Sequence, residues 1–240
     1  RIGPDWLAVI NAYYQKSKAR MIAGPVSFHQ EKTWFDKMQS LEFLSLIASG
    51  AGSIAIQSPI MCNGANLVYE KEAYDTARAS RKDEKILSGD DVFLMLTIKK
   101  IFGQNAVRFL KSEKAIVQTK AQKSFPDFFS QRIRWVSKAK AYTNLSIIFT
   151  SLSVYFFNYA IFAAFLLSIW FPGIFNSALI MLFIKIISDL PILLGISKFM
   201  KKTSYLWYYP MLEIVYVIYI SLIGIIGNFA KFNWKGRSSN

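Results

Sequence analysis

A stretch of 44 residues without a single charge, from Ala141 to Ile184, constrains this chain more than any other feature of its sequence. Within it, Thr143–Phe171 is predominantly apolar and longer than the roughly 20 residues that a helix needs to cross a bilayer core. Core helices of soluble proteins rarely run this long without charge, so a helical soluble core is the weaker alternative. The sequence therefore predicts a membrane region, over about 143–171 in the first instance.

Two further apolar segments follow, one over about 174–196 and one over about 206–229. Lys185 and Asp189 interrupt the second segment, and Glu213 lies in the third. Such groups are costly in a bilayer, so we expect them to line a polar path or to form a buried ion pair. Pro191 is predicted to break the second helix, which makes this segment the candidate for an incomplete crossing.

Basic residues flank these segments and indicate their orientation. They lie before the first segment, after the second and in the tail: Arg132, Arg134, Lys138, Lys140, Lys198, Lys201, Lys202, Lys231, Lys235 and Arg237. The positive-inside rule places all three groups on the cytoplasmic side. We therefore expect a multi-pass protein of the cell inner (plasma) membrane with a cytoplasmic N-terminal part. Three full crossings would put the tail outside, so two and three crossings both stay open, and an even number is expected.

Residues 1–140 hold 22 Lys and Arg against 13 Asp and Glu, in a chain whose net charge is +14. A composition that is 53% hydrophobic excludes a disordered chain, and the single Cys62 excludes a disulfide-stapled domain. The lone His29 has no His or Cys near it in sequence, so no zinc site is predicted. No basic stripe interleaved with aromatic residues is present, so we expect no nucleic-acid partner. Lipid headgroups or a diphosphate substrate account for the positive charge instead.

The same 140 residues alternate helix and strand patterns, which is typical of an α/β domain. We predict helices over Pro4–Lys16, Thr33–Ser49, Asp90–Ile101 and Phe125–Ala141. We predict strands over Arg20–Val26, Ile54–Cys62, Ala65–Tyr69, Ala106–Leu110 and Ala115–Thr119. Asn63 and Gly64 lie between two of these strands and predict a hairpin turn. The domains are accordingly predicted as 1–140 and 141–240.

Three short motifs have residue types suited to chemistry. Ser88, Gly89, Asp90 and Asp91 precede a helical run, where Ser88 and Asp91 fit a capping box. A carboxylate held at such a helix start could instead accept a proton from an attacking hydroxyl.

Gln131, Arg134 and Trp135 share one helical face, which fits either an interfacial helix or an anion clamp with a stacking ring. Cys62, Asn63 and Gly64 fit either a plain hairpin turn or a tight turn that brings backbone close to a ligand.

In this order, and ahead of apolar segments, the motifs resemble those of membrane-integrated family 2 glycosyltransferases, such as cellulose, hyaluronan and poly-N-acetylglucosamine synthases. QRIRW at 131–135 is similar to the family's Q-x-x-R-W motif, and GDD at 89–91 to its acidic E/D-D motif, with Asp90 where many relatives have Glu. CNGAN at 62–66 resembles its acceptor-contacting segment, and FNWKGR at 232–237 its W-K/R-G-R ending. The resemblance implies the C-terminal part of a GT-A-type glycosyltransferase domain followed by an α-helical transmembrane region.

The resemblance also implies the reaction, an inverting transfer from a nucleotide-sugar donor to a hydroxyl of a growing polysaccharide or a lipid-linked acceptor. It implies that Asp91, with Asp90, supplies the catalytic base. It implies that Gln131, Arg134 and Trp135 bind the donor diphosphate or the acceptor, while Cys62, Asn63 and Gly64 bind the acceptor.

A divalent metal, Mg or Mn, is expected as the cofactor. The resemblance places its main ligands, in a D-x-D motif, upstream of a segment like RIGPDWL, so no residue of this chain is assigned as a ligand. The 240-residue chain alone is therefore expected to be inactive. A membrane transporter or channel stays open as an alternative, as does a noncatalytic scaffold with a degenerate transferase domain. A transporter leaves GDD and QRIRW unexplained.

Overall fold

The computed structural model describes residues 1–80, 90–137, 141–229, 233–234 and 237–238, and it divides into two compact units. The first unit comprises Arg1–Ala121 together with Ile196–Lys202, and the second comprises Gln122–Gly195 together with Thr203–Asn240. The sequence-based boundary after residue 140 differs from this division, because the helix that carries QRIRW groups with the apolar helices. Ser88, Gly89, Lys138, Lys140, Lys231 and Lys235 lie outside the described residues.

The first unit mixes helices with very short strands. Its helices are α1 (Trp6–Ser17), α2 (Trp34–Ala55), α3 (Lys71–Ser80) and α4 (Asp90–Phe102). Its strands are β1 (Met21–Ala23), β2 (Val26–Phe28), β3 (Leu67–Tyr69), β4 (Val107–Phe109) and β5 (Val117–Thr119). The α/β expectation holds in this coarse form, although helix predominates. The helix α3 has no counterpart among the sequence-based predictions.

Strand β1 is the centre of a three-stranded sheet in the order β3-β1-β4. It pairs antiparallel with β3 and parallel with β4, so Ile22 lies opposite Val68 on one side and Arg108 on the other. Strands β2 and β5 form a separate parallel pair. Every residue of β1 and β2 is buried, as expected for strands that are covered on both faces.

Helix α2 begins at a capping box, in which the Thr33 hydroxyl accepts from the Asp36 N–H and the Asp36 carboxylate accepts from the Thr33 N–H. It runs to Ala55, and this overturns the strand predicted from Ile54. The Ile60 N–H, which a strand would pair with a neighbouring strand, donates instead to the buried Ser53 hydroxyl of α2 at 3.2 Å. Burial of the last helical turn against the following chain therefore outweighs the β-branched composition of this segment.

The segment Ile196–Lys202 belongs to the first unit through Lys202. The Lys202 ammonium donates to the Phe28 carbonyl at 2.8 Å and to the Ser40 hydroxyl at 3.2 Å, and it forms an ion pair with Glu31. The Lys202 and Glu31 side chains are only 12% and 6% exposed. Burial lowers the pKa of Lys202, and the Glu31 carboxylate partly opposes this shift.

The second unit is helical in its larger part. Its helices are α5 (Phe125–Val136), α6 (Leu145–Leu167), α7 (Ile174–Phe199, whose last four residues count with the first unit) and α8 (Tyr209–Phe229). Two short antiparallel strands, β6 (Asn233–Trp234) and β7 (Arg237–Ser238), follow α8. Among the described residues, three helical stretches are long and apolar enough to cross a membrane, over Leu145–Leu167, Ile174–Phe199 and Thr203–Ile226.

The prediction that Pro191 breaks the second apolar helix is wrong, because α7 continues through it from Ile174 to Phe199. Proline removes one backbone hydrogen bond, a loss that apolar helices of this length tolerate when nearby groups satisfy the freed carbonyl. The predicted pairing of Lys185 with Asp189 is confirmed at 2.9 Å.

Lys185 is shared with a second carboxylate, because it also forms an ion pair with Glu213 of α8. Lys185 and Glu213 are both almost fully buried, so the charge of each side chain compensates the charge of the other. The sequence left open a polar path or a buried ion pair for these residues, and the structure contains the ion pair.

Candidate active site

The Asp91 carboxylate connects two of the predicted motifs within the first unit. Its Oδ2 accepts a hydrogen bond from the Gly64 N–H at 2.9 Å, and its Oδ1 accepts one from the Val92 N–H at 2.9 Å. Asp91 lies in the first turn of α4, where N–H groups lack helical partners and a negative charge is favoured. The two bonds therefore fix the carboxylate beside the CNGAN turn, 27 residues earlier in the chain.

The turn itself is not the predicted hairpin. Asn63 has φ −120°, whereas a two-residue hairpin turn begun by Asn-Gly needs positive φ at Asn63. The Asn63 side chain instead accepts from the Ala65 N–H at 3.0 Å and caps one turn of 3-10 helix over Gly64–Asn66. Gly64 and Ala65 are exposed at this point, so the backbone of the turn is accessible beside Asp91.

Gly64 is needed here for its small size. A Cβ atom added to Gly64 would lie 3.2 Å from Asp91 Oδ2 and 3.6 Å from Asp91 Cβ. The 3.2 Å contact is short enough that the Asp91 oxygen would have to move by a few tenths of an ångström, whereas 3.6 Å is an ordinary contact. The absence of a side chain at Gly64 therefore leaves room for the present position of the Asp91 carboxylate beside the turn backbone.

Asn66, the last residue of CNGAN, anchors the turn to the rest of the first unit, although no role in the site was predicted for it. It is 3% exposed, and its Nδ2 donates to the carbonyls of Pro25 and Ala115 at 2.9 and 2.8 Å. Its Oδ1 accepts from the Trp6 indole at 3.2 Å, and its own carbonyl accepts from the Gly24 N–H. Three other segments of the first unit, around Trp6, Pro25 and Ala115, thus meet at Asn66, which holds the turn in place.

Cys62 begins the motif and is half-buried. Burial raises the pKa of the Cys62 thiol well above its usual range, and the nearby charge of Asp91 raises it further. The raised pKa favours the protonated thiol, which fits a packing or weak donor role. Asp90, the other acid of the motif, is exposed at the first position of α4.

Helix α5 carries the second group of predicted residues, in the second unit. It begins after Ser124, whose hydroxyl accepts from the Asp127 N–H, with Pro126 in its first turn. Gln131, Arg134 and Trp135 all lie on this helix and are all half-buried, at the spacing that places them on one face. The helix predicted over 125–141 is confirmed as far as Val136.

Arg132, between Gln131 and Arg134, contacts two aromatic rings of α5, although no role in the site was predicted for it. Its guanidinium lies 4.3 Å from the ring centroids of both Phe128 and Trp135. It also donates to the Gln131 side-chain oxygen. The helical periodicity of α5 could have shown these neighbours, because Phe128 and Trp135 are four and three residues from Arg132.

The described residues contain no group of three His, Cys, Asp or Glu side chains placed to hold a metal ion. At this site the Asp91 carboxylate accepts hydrogen bonds from two backbone N–H groups, and the two acids Asp90 and Asp91 are not part of such a group among the described residues.

The fold and site together define a membrane-associated protein whose α/β unit holds an acidic side chain against an accessible turn. The family model described as glycosyl transferase family group 2 matches residues 1–225, which include CNGAN, GDD and QRIRW and end before FNWKGR at 232–237. The chain belongs to this family. No curated protein and no solved structure matches the chain. Membership implies a nucleotide-sugar donor and an acceptor.

Proposed function

We propose that the full-length protein transfers a hexosyl group, with inversion, from a nucleotide-sugar donor to a hydroxyl of a growing polysaccharide or lipid-linked acceptor. The observation that carries this proposal is the Asp91 carboxylate, fixed beside the exposed Gly64 turn by hydrogen bonds from two backbone N–H groups. The family match supports transfer chemistry, and neither the transporter nor the scaffold alternative has an observation in its favour.

In the proposed reaction, Asp91 takes the proton of the acceptor hydroxyl as its oxygen attacks the anomeric carbon. The bond from that carbon to the nucleotide diphosphate breaks on the opposite face, and the nucleotide diphosphate leaves with the bonding electrons. A base that is already held by two hydrogen bonds needs no reorganisation when the acceptor arrives. Cys62, Asn63 and Gly64 would contact the acceptor end beside it.

Arg134 and Gln131 would stabilise the negative charge that develops on the departing diphosphate. The planar guanidinium of Arg134 suits two-point binding of phosphate oxygens, which a lysine ammonium cannot reproduce. Trp135 would stack on a sugar ring of the acceptor. A divalent metal, Mg or Mn, belongs to the proposal as a source of further charge neutralisation, with its ligands outside the described residues.

We further propose that transfer occurs at the cytoplasmic face of the membrane. The docking of Ile196–Lys202 within the first unit supports one compartment for this loop and the α/β unit. Helices α6 and α7 would then make two crossings between them, consistent with the uninterrupted α7. Helix α8 would add a third crossing, so this proposal puts the tail on the far side, against the positive-inside expectation for Lys231, Lys235 and Arg237.

The test is transfer by the purified full-length protein from a panel of radiolabelled nucleotide sugars, with product length and anomeric configuration measured. We expect one donor to give a labelled polymer or glycolipid of inverted configuration, with release of the nucleotide diphosphate. Absence of transfer from every donor by folded protein, with Mg or Mn supplied, would overturn the proposal. The Asp91→Asn protein is the matched negative control.

A further inference from the structure

Arg132 is a charged side chain that is only 3% exposed, and Phe128 is the other buried residue of α5. Charged groups are almost never fully buried unless other groups compensate them, because desolvation of the charge is expensive. The chain places this residue inside QRIRW, between the side chains to which the proposed function gives roles. Its burial therefore needs a physical reason.

The contacts of Arg132 supply that reason. Its guanidinium carbon lies 4.3 Å from the ring centroid of Phe128, one turn before it, and 4.3 Å from that of Trp135, one turn after it. Such distances are well within the range of favourable cation–π contacts, which strengthen when the site is shielded from water. The guanidinium thus fills the space between two rings on α5 and limits how the Trp135 indole can turn.

Arg132 also orients Gln131. An arginine has only hydrogen-bond donors, so the Gln131 atom that its Nη1 contacts must be the side-chain oxygen. This leaves the two N–H groups of the Gln131 amide as donors to other groups. An amide that offers only donors suits an anion, and the diphosphate of the proposed reaction is one.

The Phe128 ring, on the other side of Arg132 from Trp135, is held in place by α8. The Phe128 ring lies 5.7 Å from the ring of Tyr219, and Phe129 lies 6.4 Å from the same ring. Phe128 and Tyr219 are both buried. The chain of contacts from Tyr219 through Phe128 and Arg132 to Trp135 therefore ties the motif to a membrane-length helix in its own unit.

We propose that Arg132 is a positioning residue for the transfer reaction, which holds the Trp135 indole and the Gln131 amide in the orientations that bind acceptor and diphosphate. This inference rests on the proposed function. Lysine would keep the charge but would lose the flat surface that contacts both rings. A methionine of similar length would lose the charge as well, and it would keep the site filled.

A double-mutant cycle on the full-length protein tests this role. We expect Arg132→Lys to lower kcat/KM for the acceptor about tenfold, the scale of a shielded cation–π contact. We expect Trp135→Ala to lower it at least as much. We expect the double variant to be no worse than Trp135→Ala, since lysine can still donate to Gln131 and the contact that it loses within the proposed site is the one with Trp135. Arg78→Lys, at an exposed position of α3, is the control, and its effect should simply multiply with that of Trp135→Ala.

A second measurement does not depend on turnover. The fluorescence of Trp135 is obtained by subtracting the spectrum of the Trp135→Phe protein in each background. In Arg132→Met this fluorescence should be quenched more strongly by acrylamide, because the indole is more accessible. If the parent transfers sugar but the Arg132 and Trp135 losses multiply, or the quenching of Trp135 is unchanged, the positioning role is overturned alone. If the folded parent transfers no sugar, the proposed function falls, and the positioning role falls with it.

Discussion

Replacing Asp91 by asparagine separates its structural contribution from its proposed chemical one. The carboxylate accepts two backbone N–H bonds through two different oxygens, from Gly64 and from Val92. An asparagine amide has one oxygen, so it keeps one of these bonds and turns an N–H group towards the other donor. The lost bond costs about 1 kcal/mol, and about 3 kcal/mol where water cannot replace it. Because Gly64 is exposed, we expect the lower value.

The chemical loss should be larger and should appear in a different measurement. Removal of a general base lowers the rate about 10² to 10⁴-fold, which is about 3 to 5 kcal/mol in the barrier. A stability loss of about 1 kcal/mol leaves an ordinary domain folded, so the amount of active protein should hardly change. The structural and chemical contributions can therefore be read separately from unfolding and from turnover.

The assay is incorporation of radiolabel from the nucleotide sugar at saturating donor and acceptor, with thermal unfolding followed on the same preparation of full-length protein. We expect a rate loss of at least about 100-fold for Asp91→Asn with nearly unchanged nucleotide-diphosphate binding. Asp90→Asn, at the exposed neighbouring position, should be milder. A turnover within about tenfold of the parent in folded Asp91→Asn protein would refute the assignment of Asp91 as the base.

Three further predictions concern the turn, the clamp and the membrane crossings. Gly64→Ala should lower turnover about tenfold by displacing Asp91 a few tenths of an ångström, while Gly52→Ala, where a Cβ meets nothing within 4 Å, should not lower turnover. Equal activity of the two proteins would contradict the role of the close approach. Arg134→Lys should lower turnover about 10² to 10³-fold and weaken inhibition by the nucleotide diphosphate, measured as an inhibition constant. If both values match the parent, the clamp is wrong. With Cys62 replaced by serine, an impermeant thiol reagent applied to intact cells should label Gly173→Cys but not Ser204→Cys. Labelling of both, or of neither, would contradict two crossings by α6 and α7.

The helices were largely predictable because their signals are local. The apolar runs and the Pro172-Gly173 turn delimit α6 and the start of α7 within the sequence itself. Acids in a first turn marked the beginning of α4, and the spacing of apolar residues marked α1. In each case the stabilising partners lie within one or two helical turns, so neighbouring residues contain the information.

The turn at the site was not predictable in the same way. The dipeptide Asn63-Gly64 favours a hairpin on statistics, yet the bond that fixes the turn comes from Asp91, 27 residues away. The partners of Asn66 lie 41, 49 and 60 residues from it, on segments whose proximity depends on the whole sheet. Long-range partners of this kind override local turn preference, and a single sequence does not reveal them.

The lysines after α7 have contacts that the positive-inside rule does not consider. The positive-inside rule assigned Lys201 and Lys202 to the cytoplasmic side, as charges facing lipid headgroups. In the structure Lys202 is buried against Glu31, and Lys201 forms an ion pair with Glu113, both within the first unit. Charges that are paired with protein carboxylates no longer count as free anchors at the lipid surface. The conflict over the number of crossings therefore reduces to α8, where the apolar length of the helix favours a crossing and the basic tail opposes it.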